Sequence, residues 1–240
     1  EKETQNNIKE MIFIHIDKIL DYKSSRKWID SNHGIFHSLS LLNASLIDAV
    51  VEKYPKIKKE ALEYLYETIS TILSVTENFS QEQSSYYHQL AISLIQSLNP
   101  EHLSSLKINK TDFLDKMINS NYWLTSNDNK LIAIGDTSVS SYISNEHFPK
   151  KYPDKMAESF PDTGISVCKY RTDEGWNHFS FLHRNKRAPH GHFDALSVTL
   201  SKGNKEFVID SGGPYSYSDK FRFRYQIIKK DNTGHGEVSV

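Results

Sequence analysis

The segment RAPHGHFDALSVTL, residues 187–200, places two histidines and an aspartate two positions apart. These residues are His190, His192 and Asp194, and an alternating apolar run follows them. Residues two apart in a β-strand point to the same face, so the three polar side chains are predicted to share a face with Leu196, Val198 and Leu200. Two imidazoles and a carboxylate at the rim of an apolar face suit a metal site or acid–base chemistry. The alternative is that these histidines are hydrogen-bonded packing residues.

Helical periodicity dominates the part of the chain that precedes this segment. Between about residues 5 and 120, apolar residues recur every three or four positions, which is typical of amphipathic helices. The pattern predicts four or five helices, followed by a shorter one that begins at Thr111-Asp112. Helix ends are marked by Pro55, by Glu77-Asn78 and by Asn99-Pro100.

The period changes after Leu131, where short β-rich runs alternate with Gly, Asp and Asn turns. The runs cover residues 165–170, 178–183, 196–200 and 206–209. Helices first and strands afterwards predict an α+β fold rather than an alternating βαβ sheet. We place a helical domain at 1–135, a linker at 136–160, which contains two prolines and many charges, and an antiparallel sheet domain at 161–240. Because residues 238–240 end in what reads as another strand, the sheet domain is predicted to be incomplete at its C-terminal end.

Composition excludes several classes of partner and site. The 240 residues carry 29 Lys and Arg against 30 Asp and Glu, so nothing favours nucleic acid or an anionic membrane surface as an electrostatic partner. The single cysteine, Cys168, excludes an intramolecular disulfide and a thiolate metal cluster. No run approaches the roughly 18 apolar residues of a membrane span, and the polar start lacks a signal-peptide core. A mature periplasmic or secreted chain has these same properties.

Three motifs carry a resemblance to a known family. They are SNHGIF at 31–36, FSQEQSSYYHQLA at 79–91 and RAPHGHFDALSVTLSKGNKEFVIDSGGPYSY at 187–217. In this order and spacing they resemble the heparinase II/III-like polysaccharide lyases and the related alginate and oligouronide lyases. The resemblance implies an incomplete (α/α) toroid of helical hairpins followed by an antiparallel β-sandwich region. It also implies β-elimination at a uronic acid, with an acidic polysaccharide or oligosaccharide as substrate and no organic cofactor.

The chemistry of that reaction assigns roles to the motif residues. The proton at C5 of a uronate becomes acidic only when the neighbouring carboxylate is neutralised by hydrogen-bond donors or a cation. Asn32 and His33 carry such donors, and the resemblance gives them this task. The alternative for this motif is that Asn32-His33-Gly34 caps a helix that starts near Ile35.

Tyr87 matches the tyrosine of the family's EQS-x-x-YH pattern, which implies that it acts as acid, base or both. A phenol with a pKa near roughly 10 is a poor base at neutral pH, so a cationic neighbour is needed. Tyr86 is the competing candidate, but adjacent helical residues point about 100° apart, so only one of the two faces the cleft. His88 is expected to pack or orient its neighbour. The resemblance makes His190 the second proton-transfer residue, in a cleft between the helices and the sheet.

The resemblance further implies a structural zinc ion bound by His192 and Asp210. If the hairpin loop is Lys202-Gly203-Asn204, Ser201 pairs with Lys205 and Asp210 falls on the same face as His192. Family members complete the site with a histidine in an H-N-T motif, but Asp231 precedes Asn232-Thr233 here. Either Asp231 or His235 is then the third ligand, or the site is incomplete; we assign His235.

The remaining assignments concern substrate binding and location. Arg187, Tyr86, Gln83 and Trp123 are predicted to contact the substrate. Trp28 and Tyr122 are further candidates for stacking on sugar rings, with core packing as the alternative. We expect the protein in the periplasm or secreted, and the oligomeric state stays open. Two other functions compete with the lyase: a glycan-binding or scaffold module of the same fold, and a zinc-dependent hydrolase that uses His190, His192 and Asp210.

Overall fold

A computed structural model of the chain describes residues 2–74, 76–126, 129–183, 188–192, 194–203, 205–210 and 212–213. The described residues form seven α-helices and seven β-strands. The helices are α1 (Lys2–Ser24), α2 (Asn32–Ala44), α3 (Asp48–Lys53), α4 (Ile57–Ile72), α5 (Ser85–Ser97), α6 (Pro100–Ser105) and α7 (Lys110–Ser120). The strands are β1 (Leu73–Ser74), β2 (Phe79–Ser80), β3 (Ala157–Phe160), β4 (Ile165–Thr172), β5 (Gly175–Leu182), β6 (Val198–Lys202) and β7 (Lys205–Val208). None of the described helices is both long enough and apolar enough to cross a membrane.

The chain forms two compact units, which do not follow the predicted boundaries. The first, the helical unit, comprises the described residues up to Ile72 together with Leu98–Ile108. The second, the sheet unit, comprises Leu73–Ser97 and the described residues from Asn109 onward. Helices α5 and α7 therefore belong with the sheet, although the sequence placed them in the helical domain. The predicted linker at 136–160 contains strand β3, which pairs with β4, so its prolines and charges indicated surface rather than a domain boundary.

In the helical unit, α2 and α4 pack closely because of one glycine. A Cβ on Gly34 would lie 2.3 Å from the Thr68 hydroxyl oxygen and 2.7 Å from the Trp28 carbonyl oxygen. The α4 side of this contact follows the predicted helical spacing, with Ala61, Leu65 and Ile69 at most 1% exposed. Residues three or four positions apart on α4 therefore form part of the core of the helical unit.

The sheet unit contains a five-stranded antiparallel sheet in the order β3-β4-β5-β6-β7 and a short β1-β2 pair. Three of the four predicted strands coincide with β4, β5 and β7 to within a few residues, and the fourth begins at Val198 rather than Leu196. One face of the sheet covers an apolar core of Phe79, Tyr122, Trp123, Leu124, Ile132, Ile134, Phe160, Ile165, Val167 and Leu182. The described residues therefore confirm helices and an antiparallel sheet, while the toroid and the second layer of a sandwich stay predictions.

A buried lysine fixes the chain beneath this sheet. The ammonium of Lys169, on β4, donates to the carbonyl oxygens of Tyr122 at 2.8 Å and Thr125 at 2.7 Å. It also lies over the Tyr122 ring, 4.4 Å from the centroid. Burial lowers the pKa of Lys169 to about 8. The lysine holds the turn that carries Tyr122 and Trp123 against the sheet.

Candidate active site in the sheet unit

Tyr87 and His190 lie together in the sheet unit. Their rings stack with centroids 3.3 Å apart and planes 11° from parallel. Tyr87 lies in the first turn of α5, and Tyr86, the competing tyrosine, is 48% exposed. Helix geometry turns the two phenols away from each other, so only Tyr87 stacks on the imidazole. A phenol and an imidazole are both side chains that can donate or accept a proton.

The histidine segment is not a strand. Residues 188–192 and 194–196 form turns and irregular backbone, β6 begins at Val198, and Leu196 has a φ of +68°. The shared strand face predicted for His190, His192 and Asp194 is therefore wrong, because the backbone turns at Pro189 and again after Asp194. The two histidines nevertheless meet, since they converge on a carboxylate from another part of the chain.

That carboxylate belongs to Asp136, which the sequence analysis placed in a linker. One carboxylate oxygen of Asp136 lies 2.9 Å from Nδ1 of His190, and the other lies 2.7 Å from Nε2 of His192. The Asp136 side chain is 1% exposed. A second buried carboxylate, Glu82, lies 3.7 Å from Nε2 of His190. The His190 ring is thus flanked by two carboxylates and covered by a phenol.

The segment Gly135–Thr137 connects the histidine turn to the start of α5; we call it the 135–137 segment. The backbone N–H of Asp136 donates to the His190 carbonyl at 2.9 Å. The Thr137 hydroxyl lies 2.8 Å from the hydroxyl oxygen of Ser84 and accepts from the Tyr86 N–H at 3.0 Å. One three-residue segment therefore contacts both the turn that carries His190 and the helix start that carries Tyr87.

Sequence reasoning missed Asp136 and Thr137. The available signal was a Gly-Asp pair directly after the apolar run Leu131–Ile134, a position at which polar residues often lie at the edge of a core. Gln83, predicted to contact substrate, is 6% exposed, with a φ of +59°. It lies beside Glu82 and supplies a carbonyl oxygen that packs against Gly135.

The structure describes two of the three predicted zinc ligands, His192 and Asp210. Nε2 of His192 is directed at Asp136, while the Asp210 carboxylate accepts from the Ser197 hydroxyl at 3.2 Å and from the Gly212 N–H at 2.8 Å. Within the described part of the chain, no group of three His, Cys, Asp or Glu side chains could hold a metal ion. His235, the third predicted ligand, lies outside the described residues, as does Arg187, so both stay predictions.

The hairpin that precedes Asp210 differs from the predicted one. Lys202 pairs with Lys205 and Ser201 with Glu206, so the three-residue loop is wrong and two residues separate the paired strands. A β-bulge between Leu200 and Ser201 then shifts the pairing by one further residue, so that Leu200 pairs with Val208. Asp210 follows the end of β7 and is 1% exposed.

In the helical unit, Asn32 and His33 occupy the first turn of α2. Ser31 is the N-cap, and its hydroxyl accepts from the His33 N–H at 3.3 Å. The helix therefore begins three residues before Ile35, and Asn32 is a helical residue rather than its cap. Asn32 is 5% exposed, whereas His33 is exposed and its ring lies 4.9 Å from that of Trp28. The assignment of both residues to a substrate carboxylate stays a prediction.

The candidate stacking residues divide into core and surface. Trp123 and Tyr122 are 4% and 3% exposed and belong to the apolar core beneath the sheet. Trp123 therefore offers no ring face to a sugar, and the core alternative accounts for it. Trp28 is 39% exposed and has a φ of +68°, which is an uncommon backbone conformation for a bulky side chain.

His88 is a structural residue, as expected. Its Nδ1 accepts from the Ser80 N–H at 3.0 Å, and its Nε2 lies 3.1 Å from the Met117 carbonyl. The first contact requires a ring without a proton on Nδ1, so the neutral Nε2–H tautomer fits both partners. Burial lowers the pKa of His88 to about 4.

The lowered pKa of His88 predicts how the stability of the protein changes in acid. In the folded protein the pKa of His88 lies below its ordinary value of 6.5. The contribution of neutral His88 to the free energy of unfolding is therefore complete above pH 6.5 and is lost as the pH falls towards about 4. The loss corresponds to about 3 kcal/mol. His88→Gln is expected to lower stability near neutral pH and to flatten the dependence on pH between these values, measured by denaturant unfolding at a series of pH values.

The matched control is His15→Gln, which changes an exposed histidine of α1. It is expected to leave the pH dependence unchanged. Some slope remains in His88→Gln, because burial also lowers the pKa of His178, to about 3. An acid slope identical to that of the unsubstituted protein would contradict the assignment.

Solved structures share this architecture. The heparan sulfate lyase HepC from Pedobacter heparinus aligns with a TM-score of 0.59 and 14% identity, over 88% of this chain and 37% of that one. The chain has a heparinase-like fold. A heparinase III, the BT4657 gene product, aligns with a TM-score of 0.60 and 16% identity, over 85% of this chain and 36% of that one. Another heparinase III structure aligns with a TM-score of 0.57 and 16% identity, over 84% of this chain and 38% of that one.

At these identities the likeness concerns the fold, and the chain spans under two fifths of the length of the three lyases. No protein-family model matches the sequence, and neither does any curated protein. The fold-level resemblance agrees with the one carried by the three sequence motifs.

Proposed function

We propose that the protein is a polysaccharide lyase that cleaves a uronic-acid-containing glycan by β-elimination. The observation that carries the proposal is the stacked pair of Tyr87 and His190. It is supported by the buried carboxylates that flank the imidazole and by the heparinase-like fold. Two proton-transfer groups of different kinds in one contact match a reaction that removes one proton and delivers another.

The reaction balances without water or a redox partner. A base removes the proton at C5 of the uronate, the electron pair forms the C4–C5 double bond, and the bond from C4 to the glycosidic oxygen breaks. An acid then protonates the departing oxygen. Tyr87 and His190 take these two roles, and the stacked rings present both groups to one sugar residue. Net water addition does not occur, which separates this chemistry from that of two-carboxylate glycosidases.

Neutralisation of the substrate carboxylate is the second requirement of the reaction. Asn32 and His33 carry amide and imidazole donors for it, and Arg187, Tyr86 and the exposed Trp28 are the proposed contacts with the rest of the glycan. The net charge of −1 leaves the recognition of an anionic chain to such local groups. A periplasmic or secreted location and a structural zinc ion bound by His192, Asp210 and His235 are part of the same proposal, but no step of the reaction requires the metal.

The experiment that tests the proposal presents acidic glycans to the protein. Heparan sulfate, alginate, hyaluronan and a neutral glucan are incubated separately, and the ultraviolet absorbance of an unsaturated uronate is followed. We expect the absorbance to rise with at least one acidic glycan and not with the glucan. Binding of an acidic glycan without any rise would instead identify a non-catalytic glycan-binding module, and reducing ends formed without unsaturated product would identify a hydrolase.

A further inference from the structure

Asp136 is placed to control the chemistry of His190 without contacting a substrate. Its two carboxylate oxygens approach ring nitrogens of two different histidines, Nδ1 of His190 at 2.9 Å and Nε2 of His192 at 2.7 Å. A carboxylate only accepts hydrogen bonds, so each of these nitrogens must carry a hydrogen. For His190 this selects Nε2, on the opposite side of the ring, as the nitrogen that exchanges a proton.

The backbone around Asp136 holds it in this position. Gly135 has a φ of +57°, and a Cβ there would lie 2.3 Å from the Gln83 carbonyl oxygen and 2.4 Å from the His190 carbonyl oxygen. The N–H of Asp136 donates to that same His190 carbonyl at 2.9 Å. The backbone and side chain of Asp136 thus contact one residue at two points, which determines the orientation of the imidazole as well as its tautomer.

The 135–137 segment also contacts the helix that carries the other proton-transfer group. The Thr137 hydroxyl accepts from the Tyr86 N–H at 3.0 Å and lies 2.8 Å from the hydroxyl of Ser84. These contacts hold the first turn of α5, where Tyr87 lies. The stacking distance between Tyr87 and His190 therefore depends on a segment that provides neither residue.

We infer that Asp136 is the positioning residue of His190: it keeps the hydrogen on Nδ1, directs Nε2 to the substrate and holds the ring against Tyr87. The inference rests on the proposed lyase function and adds to it a residue that acts through the imidazole. The contact of the second carboxylate oxygen with Nε2 of His192, at 2.7 Å, restrains the rotation of Asp136.

The test is Asp136→Asn, which keeps the size of the side chain. An amide has one acceptor oxygen and one donor group, so it satisfies only one of the two histidine N–H groups and opposes the other. With the acidic glycan that the protein cleaves, kcat is expected to fall by about 10²- to 10⁴-fold while KM changes little, since the change affects proton transfer rather than binding. Asp136→Glu, which restores a carboxylate, is expected to recover part of the lost kcat.

A spectroscopic measurement separates this inference from the proposed function. In protein with ¹⁵N-labelled histidine, nitrogen–proton correlation spectra at one fixed pH report which ring nitrogen of His190 carries the hydrogen. We expect Nδ1–H in the unsubstituted protein and its loss in Asp136→Asn. Asp115→Asn, which removes a surface carboxylate of α7 that pairs with Lys150, is the matched control and is expected to change neither kcat nor the spectrum.

The outcomes are distinct. A His190 hydrogen on Nε2 in the unsubstituted protein, or wild-type kcat in Asp136→Asn, would overturn the positioning role. If no acidic glycan is cleaved, the proposed function fails, and the spectra alone then decide whether Asp136 sets the tautomer.

Discussion

Tyr87→Phe is expected to lower kcat on an acidic glycan by about 10²- to 10⁴-fold, the range that a positioned acid or base contributes. The substitution removes one hydroxyl and leaves the ring that stacks on His190 at 3.3 Å. The fold and the position of the imidazole should therefore be preserved, and KM should change little. The measurement is the initial rate of formation of unsaturated uronate across a range of glycan concentrations.

Tyr86→Phe is the matched control for this experiment. It removes the same atom from the preceding residue, whose ring is 48% exposed and lies 5.6 Å from that of Tyr87. Because Tyr86 has no contact with His190 among those that the structure describes, its loss is expected to affect glycan binding at most, seen as a higher KM. If Tyr86→Phe lost turnover and Tyr87→Phe kept it, the assignment of the catalytic phenol would be reversed.

Gly135→Ala is expected to destabilise the protein by about 3 kcal/mol, from the left-handed backbone and from overpacking together. The added methyl group would lie 2.3 Å from one carbonyl oxygen and 2.4 Å from another, at a φ of +57°. Both oxygens belong to backbone, at Gln83 and His190, so relief requires the histidine turn and the start of α5 to separate. Denaturant unfolding measures the loss of stability, and activity should fall as the distance between Tyr87 and His190 increases.

Gly175→Ala is the control that separates the effect of crowding at Gly135 from the effect of backbone strain. Gly175 also has a positive φ, +107°, but the nearest atom to an added Cβ is the Gly203 Cα at 3.5 Å, which is an ordinary contact. This variant is expected to lose some stability and to keep its activity, because Gly175 lies at the start of β5, next to the β4–β5 turn. A Gly135→Ala protein that unfolds no more easily than Gly175→Ala and cleaves glycan at the normal rate would show that the 135–137 segment does not hold the site together.

Local sequence determined the elements of this fold. The helical spacing in α4 and the strand-forming runs of β4 and β5 depend on side chains within a few residues of one another, so they can be predicted from neighbours alone. Asn99-Pro100 marked a helix boundary for the same reason, because the Asn99 side chain caps α6 by accepting from the Glu101 N–H, two residues on. Tyr87 and His190 were named as acid–base candidates from the resemblance of their motifs, and that assignment stays a prediction.

The tertiary structure alone decided what surrounds these two residues. Asp136 lies 54 positions before His190 in the chain, and no local pattern connects them. The register of the β6–β7 hairpin depended on a β-bulge, and the stacking of Tyr87 on His190 depended on where the turn with His190 folds against α5. Such contacts depend on how whole elements pack together. No sequence periodicity predicts them, because the residues that they join are far apart in the chain. For this reason the acid–base candidates could be read from the sequence, and the carboxylate that orients them could not.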